Sequence, residues 1–139
     1  DRLRSRGLGD VYKRQPAQAL LKPTRIYVKT ILSLIEKCSV KGIAHITGGG
    51  FIENIPRILP DGLAAEIDRN SYELPNLFKA LKRRAGISDE KMYNTFNMGI
   101  GMVLCVDKAE ESEALDVLRG LGEEPVRLGR VVRGKGVIL

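Results

Sequence analysis

The sequence predicts an α+β fold, a mixed β-sheet covered by helices on one face. Two observations carry this expectation. Segments with apolar residues at three- and four-residue spacing alternate along the chain with apolar runs of strand length. Short connections rich in Gly and Pro separate them. The 139 residues suit one domain, large enough to bury a core without disulfide or metal staples.

Residues 1–15, DRLRSRGLGDVYKRQ, stand apart. They show no apolar face, and they hold five basic residues against Asp1 and Asp10. We expect a non-native or disordered segment there, with the domain proper at 16–139. Pro23-Thr24 opens the first expected helix, with Ile26, Tyr27, Thr30, Ile31, Leu34 and Ile35 on one face and Val28 and Leu32 widening it. Ile43 to Thr47 reads as a buried strand. The glycines 48–50 then start a short helix or turn over Phe51–Ile55, and Pro60-Asp61-Gly62 is a turn signal.

Leu63 to Ile67 fits a short strand, and Asp68 to Ser71 a loop. A helix starts at Pro75, carries Leu77, Phe78 and Leu81 inward, and ends at Gly86. Ser88 to Lys91 can cap another, with Met92 and Tyr93 on its inner face. Phe96 to Gly99 is irregular. Ile100 to Val106 reads as a central strand, with Gly101 where another group comes close. Ala109 to Leu121 is amphipathic, with Ala114, Leu115, Val117, Leu118 and Leu121 inward and Gly122 as its C-terminal cap. Val126–Val132 and Val137–Leu139 read as strands of a hairpin turning through Arg133 to Gly136.

The formal charge is +6, but half of that excess lies in residues 1–15. Basic residues are not interleaved with aromatics, so we expect no nucleic-acid partner. No apolar run reaches the roughly 20 residues of a membrane helix, so no membrane partner is expected either. Cys38 and Cys105 lack metal or redox spacing and read as small core residues of a cytoplasmic protein. Asp61, Asp68 and Glu73 are dispersed, so no metal ligand is assigned.

The stretch His45-Ile46-Thr47-Gly48-Gly49-Gly50-Phe51-Ile52-Glu53-Asn54-Ile55-Pro56-Arg57 is the most informative. Three glycines let backbone N–H groups converge on a phosphate, or simply make a tight strand-to-helix turn. The run is neither a Walker A loop nor a dinucleotide fingerprint. On the phosphate reading, Gly49→Val abolishes binding and leaves the fold intact. His45, the one histidine, either shuttles a proton or bonds a backbone group. Thr47 bonds a phosphate oxygen or caps the next helix. Arg57 clamps a phosphate or pairs with an acid such as Glu53, and Asn54 lies beside it in sequence. Asn97, Gly99 and Gly101 form a second irregular entry to a strand, facing the same cleft or serving packing.

Four ordered stretches, from about Leu21 onward, resemble the C-terminal domain of the phosphoribosylformylglycinamidine cyclo-ligase family. They are Pro23 to Val28 (PTRIYV), His45 to Pro60 (HITGGGFIENIPRILP), Met92 to Met102 (MYNTFNMGIGM), and Gly129 to Val132 with the Gly134–Gly136 turn. The resemblance implies the aminoimidazole ribonucleotide synthetase-like fold and a two-half enzyme. Its N-terminal half forms the homodimer and most of the ATP site, and that half has no counterpart here. It implies a substrate, formylglycinamidine ribonucleotide, whose formamide oxygen takes the γ-phosphoryl group of ATP with Mg²⁺ present. An amidine nitrogen then attacks that carbon, and phosphate leaves as the imidazole ring closes. On this basis His45 is the catalytic candidate. Thr47, Gly48, Gly49, Gly50, Asn54, Arg57, Asn97, Gly99 and Gly101 are the phosphate-binding candidates. The isolated chain is expected to be inactive. The alternatives are a non-catalytic module that binds a phosphorylated metabolite or a partner, and a paralogue such as formylglycinamide ribonucleotide amidotransferase.

Overall fold

The computed structural model describes Leu21 and residues 23–139. The expectation for residues 1–15 lies outside the described residues. The first helix among the described residues, α1, spans Val28–Ile35, four residues later than the sequence suggested. Tyr27 precedes it in a helical conformation without a side-chain cap bond, so Thr24 caps nothing. The Pro23-Thr24 start and the apolar spacing after it suggested an earlier beginning, but residues 24–26 include β-branched residues and no cap bond forms there. Of its predicted apolar face only Leu34 is fully buried; Val28, Leu32 and Ile35 stay about half exposed.

Strand β1 (Val40–His45) begins earlier than expected. Helix α2 (Gly50–Asn54) continues into a 3-10 turn, Ile55–Ile58, with Pro56 early in that turn. Then come β2 (Leu63–Ile67), α3 (Asn76–Ala85) and α4 (Asp89–Thr95). Gly86 closes α3 in the left-handed region, as a glycine there permits. The Ser88 hydroxyl caps α4 by accepting the Lys91 N–H. Strand β3 (Met102–Val106) leads through a 3-10 turn into α5 (Glu111–Gly120). Gly122 (φ 80°) and Glu123 donate to the Arg119 and Leu118 carbonyls, the paired bonds that terminate a helix on a left-handed glycine. Leu121, expected inward, is the C-cap just after the last helical residue, Gly120, and is 41% exposed.

The class is α+β, and hydrogen bonding divides the strands into two sheets. β1 and β3 form an antiparallel pair, with His45 opposite Met102 and an irregularity between Val40 and Gly42. The other sheet is mixed. β2 lies between β4 (Gly129–Arg133), antiparallel to it, and β5 (Gly136–Ile138), parallel to it. The expected hairpin is therefore corrected. The turn after Arg133 is present, but it carries the chain around the start of β2, where the Gly134 N–H bonds the Gly62 carbonyl. Both strands pair with β2 in place of each other.

The main core joins β1, β2, α2 and α4 through Ala44, Ile46, Phe51, Ile55, Ala65, Ile67, Met92, Tyr93 and Met98. A smaller one, Leu34, Cys38 and Ala114, joins α1 to α5 against Leu104 and Val106 of β3. Burial, with Glu113 and Glu110 nearby, raises the Cys38 thiol above its ordinary value. This suits the core role read from the sequence.

Candidate active site

Antiparallel pairing places the end of β1 beside the start of β3. The Ile46 N–H extends the ladder to the Gly101 carbonyl at 2.9 Å. Two segments far apart in sequence, His45–Gly50 and Asn97–Gly101, thus meet at one end of one ladder.

The three glycines have different tasks. Gly50 is buried at φ 54°, and a Cβ there would lie 2.1 Å from the Tyr93 carbonyl oxygen and 2.7 Å from that of Phe96. It lets α2 rest on the backbone of α4. Gly49 (φ 94°) is the N-cap of α2, and its Cβ would meet the Glu53 side chain at 2.5–2.8 Å. Gly48 is exposed, lies outside the positive-φ region and has nothing within 4 Å of a Cβ position. Gly49→Val therefore strains the backbone and crowds the Glu53 side chain, so it tests the loop's shape together with any binding function. Of the three, Gly48 is the position where an added Cβ has open space around it.

Asn54 is 4% exposed. Its Nδ2 donates to the Gly50 carbonyl at 2.7 Å and the Gly48 carbonyl at 3.3 Å, so it ties the loop from inside. With its amide donating in this way, Asn54 shapes the loop from within. Thr47 is exposed, and its carbonyl accepts the Gly50 N–H. No side-chain bond caps α2, so the capping alternative for Thr47 is not what the structure shows. Among the described residues, the N–H groups of Gly48, Gly49, Phe51 and Ile52 find no acceptor. Arg57 is exposed on the 3-10 turn and makes no ion pair with a described residue, Glu53 included.

The second segment is a strained turn. Met98 sits at φ 53° and Gly99 at φ 90°. The left-handed region is uncommon for residues other than Gly and persists only where neighbours hold it. Here the Asn97 Oδ1 accepts the Gly99 N–H at 3.0 Å, and the Asn97 carbonyl accepts the Ile100 N–H. The Tyr72 hydroxyl donates to the Met98 carbonyl at 3.1 Å. A Cβ on Gly99 would lie 2.7 Å from Pro75, so this glycine also serves close packing. Gly101 fits the close approach read from the sequence. A Cβ there would lie 2.1 Å from the Tyr27 hydroxyl. The Tyr27 ring in turn meets the exposed His45 ring edge-on, centroids 6.1 Å apart. The sequence places Tyr27 on a helical face and in the Pro23–Val28 stretch, and neither reading reveals this contact, which depends on the helix starting only at Val28.

A cleft of about 450 Å³ opens between β3 and the other sheet. It takes in Gly99 and Gly101, but neither His45 nor Gly48 lines it. The geometry of the two glycine segments, with the exposed His45 and the unpaired N–H groups, makes the ladder end the better candidate. Among the described residues no three His, Cys, Asp or Glu side chains gather as metal ligands. No helix among them is long and apolar enough to cross a membrane.

Burial raises the Tyr72 phenol above its ordinary value, with Tyr93 adding to the effect. The unfolded chain then loses this proton at lower pH than the folded one. Stability from Tyr72 is full below the ordinary tyrosine value of about 10 and falls as pH rises above it. Urea titrations between neutral and strongly alkaline pH should show this fall, and Tyr72→Phe should flatten it. At neutral pH the same variant should lose about 1 kcal/mol with its hydrogen bond.

The chain matches the family described as AIR synthase related protein, C-terminal domain, over residues 2–139. It is 48% identical over 126 residues to the phosphoribosylformylglycinamidine cyclo-ligase of Bacillus velezensis, covering 91% of this chain and 36% of that protein. It is 51% identical to the enzyme of that name from Burkholderia cenocepacia, covering 88% and 35%. It is 52% identical to that from Clostridium perfringens, covering 88% and 37%. The chain thus spans about a third of the length of these curated relatives. A crystal structure of E. coli HypE, a hydrogenase maturation protein, shares the fold at a TM-score of 0.62 and 22% identity, over 81% of this chain and 35% of that one. The chain belongs to the AIR synthase related protein, C-terminal domain family.

Proposed function

We propose that this chain is the C-terminal domain of a phosphoribosylformylglycinamidine cyclo-ligase. That enzyme is an ATP-dependent C–N ligase of purine biosynthesis that closes formylglycinamidine ribonucleotide to aminoimidazole ribonucleotide. One observation carries the reading. The two glycine segments converge on one ladder end, in a chain 48–52% identical to three cyclo-ligases. The apolar flank of α1, with Ile26 83% and Val28 60% exposed, supports a domain that packs against a further part of a larger enzyme.

On this reading Thr47 and the open face of Gly48 receive a phosphate of the substrate or nucleotide. Gly49, Gly50 and Asn54 hold the loop in that shape. Arg57, exposed and unpaired among the described residues, neutralises phosphate charge. His45 moves a proton during ring closure. Asn97, Gly99 and Gly101 build the opposite wall. ATP supplies the phosphoryl group that makes the formamide oxygen a leaving group. The backbone donors at Gly48 suit a phosphate, whereas the described residues offer no clustered carboxylates for Mg²⁺. We therefore assign the metal and most of the nucleotide site to an N-terminal half that also forms a homodimer. The setting is the cytoplasm, and the domain alone is inactive.

Grafting residues 16–139 in place of the matching domain of the Bacillus velezensis enzyme tests the reading. The folded chimera should convert formylglycinamidine ribonucleotide and ATP to aminoimidazole ribonucleotide. A folded chimera without turnover would count against it. In the same chimera, Arg57→Ala should leave stability within about 0.5 kcal/mol. It should weaken substrate binding about 10- to 100-fold, the loss of a charge-assisted contact of about 1.5–3 kcal/mol. Thermal melts and KM values check both.

A further inference from the structure

We propose that Tyr27 is a positioning residue for His45, and that Gly101 is a glycine because it must admit the Tyr27 hydroxyl. The proposal deepens the reading of His45 as a proton carrier and rests on it. Three observations converge. The Tyr27 and His45 rings meet edge to face, with an interplanar angle of 67° and centroids 6.1 Å apart, within the range of favourable aromatic pairs. A Cβ on Gly101 would lie 2.1 Å from the Tyr27 hydroxyl oxygen and 3.0 Å from Cζ, so the phenol tip is lodged over the Gly101 backbone. Gly101 is itself fixed to the His45 side of the site, because its carbonyl accepts the N–H of Ile46, the next residue after His45.

The three groups therefore form a closed circuit: β1 holds His45, the ladder holds Gly101, and Tyr27 bridges them from the chain entering α1. Tyr27 is part-buried, and its carbonyl accepts the Ile31 N–H, which fixes its backbone to the first turn of that helix. His45 is exposed and has no hydrogen bond from its ring to a described residue; the aromatic edge is what restricts its orientation. An exposed ring free to rotate makes a poor proton carrier, because proton transfer depends on a held geometry.

His45 is the one histidine of the chain, so its two carbon-bound ring protons give unambiguous NMR signals in the full 139-residue protein. Tyr27→Leu removes the aromatic edge and should shift both signals. Gly101→Ala pushes the Tyr27 ring away and should shift them too, with no further change when combined with Tyr27→Leu. Tyr27→Phe keeps the ring and should leave them in place, which separates orientation from loss of fold. In the grafted enzyme, Tyr27→Leu should lower kcat about 10- to 100-fold while KM stays near wild type. His45 signals that stay unmoved in both Tyr27→Leu and Gly101→Ala would overturn the positioning itself. Signals that move while kcat is retained would overturn the catalytic role of His45 on which the proposal rests.

Discussion

Gly50→Ala is expected to remove a large part of the stability of the domain. The substitution adds one methyl group where a Cβ would lie 2.1 Å from the Tyr93 carbonyl oxygen, which is backbone and cannot swing aside. It also places alanine at φ 54°, a conformation costing about 1–2 kcal/mol for residues with a Cβ. Forcing α2 and α4 apart adds about 1–3 kcal/mol of overpacking. A loss of about 2–5 kcal/mol is a large part of the 5–15 kcal/mol that holds an ordinary domain folded. Urea denaturation should show a much lower midpoint with an unchanged slope, or a chain already unfolded. A variant as stable as wild type would mean that α2 does not rest on the α4 backbone.

Phe51→Ala should cost a similar amount by the opposite route, a void. Phe51 is 0% exposed and meets the Tyr93 ring edge-on at 5.2 Å. Deleting a fully buried phenyl ring costs about 3–5 kcal/mol, including the cavity left behind. Ile52, the next residue, is only part-buried, and Ile52→Ala should cost clearly less. Equal losses at the two positions would contradict the direction in which α2 faces the core. Because Phe51 follows the glycines directly, its loss should also loosen the loop. Faster amide exchange at Gly48 and Gly49 would report this.

What the sequence made legible was whatever local chemistry decides. Ser88 capped its helix, Gly86 and Gly122 ended theirs, and the glycine run after β1 turned into a short helix. What it hid depended on distant partners. Gly134 marks a turn, but nothing near it says that β2 lies between the two strands it joins. The apolar spacing of residues 26–31 suggested helix from Thr24, and only the absence of a cap delays the start to Val28. At the candidate site, the two glycine segments were visible, and their meeting follows from β1–β3 pairing. The buried place of Asn54 was not visible, because a loop must first fold before its carbonyls can accept that amide. Nor did the sequence rank the three glycines. Gly50 is fixed by α4, forty residues away, and Gly48 is free of such constraint.

That ranking gives the most direct test of the claim that the open face of the glycine loop holds a phosphate. Gly48→Val in the grafted enzyme adds bulk at a position where nothing lies within 4 Å of the new Cβ. Its melting temperature should match wild type, and its affinity for formylglycinamidine ribonucleotide or for ATP should fall about 10- to 100-fold, in line with charge-assisted bonds of about 1.5–3 kcal/mol. Whichever ligand weakens identifies the phosphate at the loop. A folded Gly48→Val enzyme that binds both ligands with wild-type affinity would contradict the account.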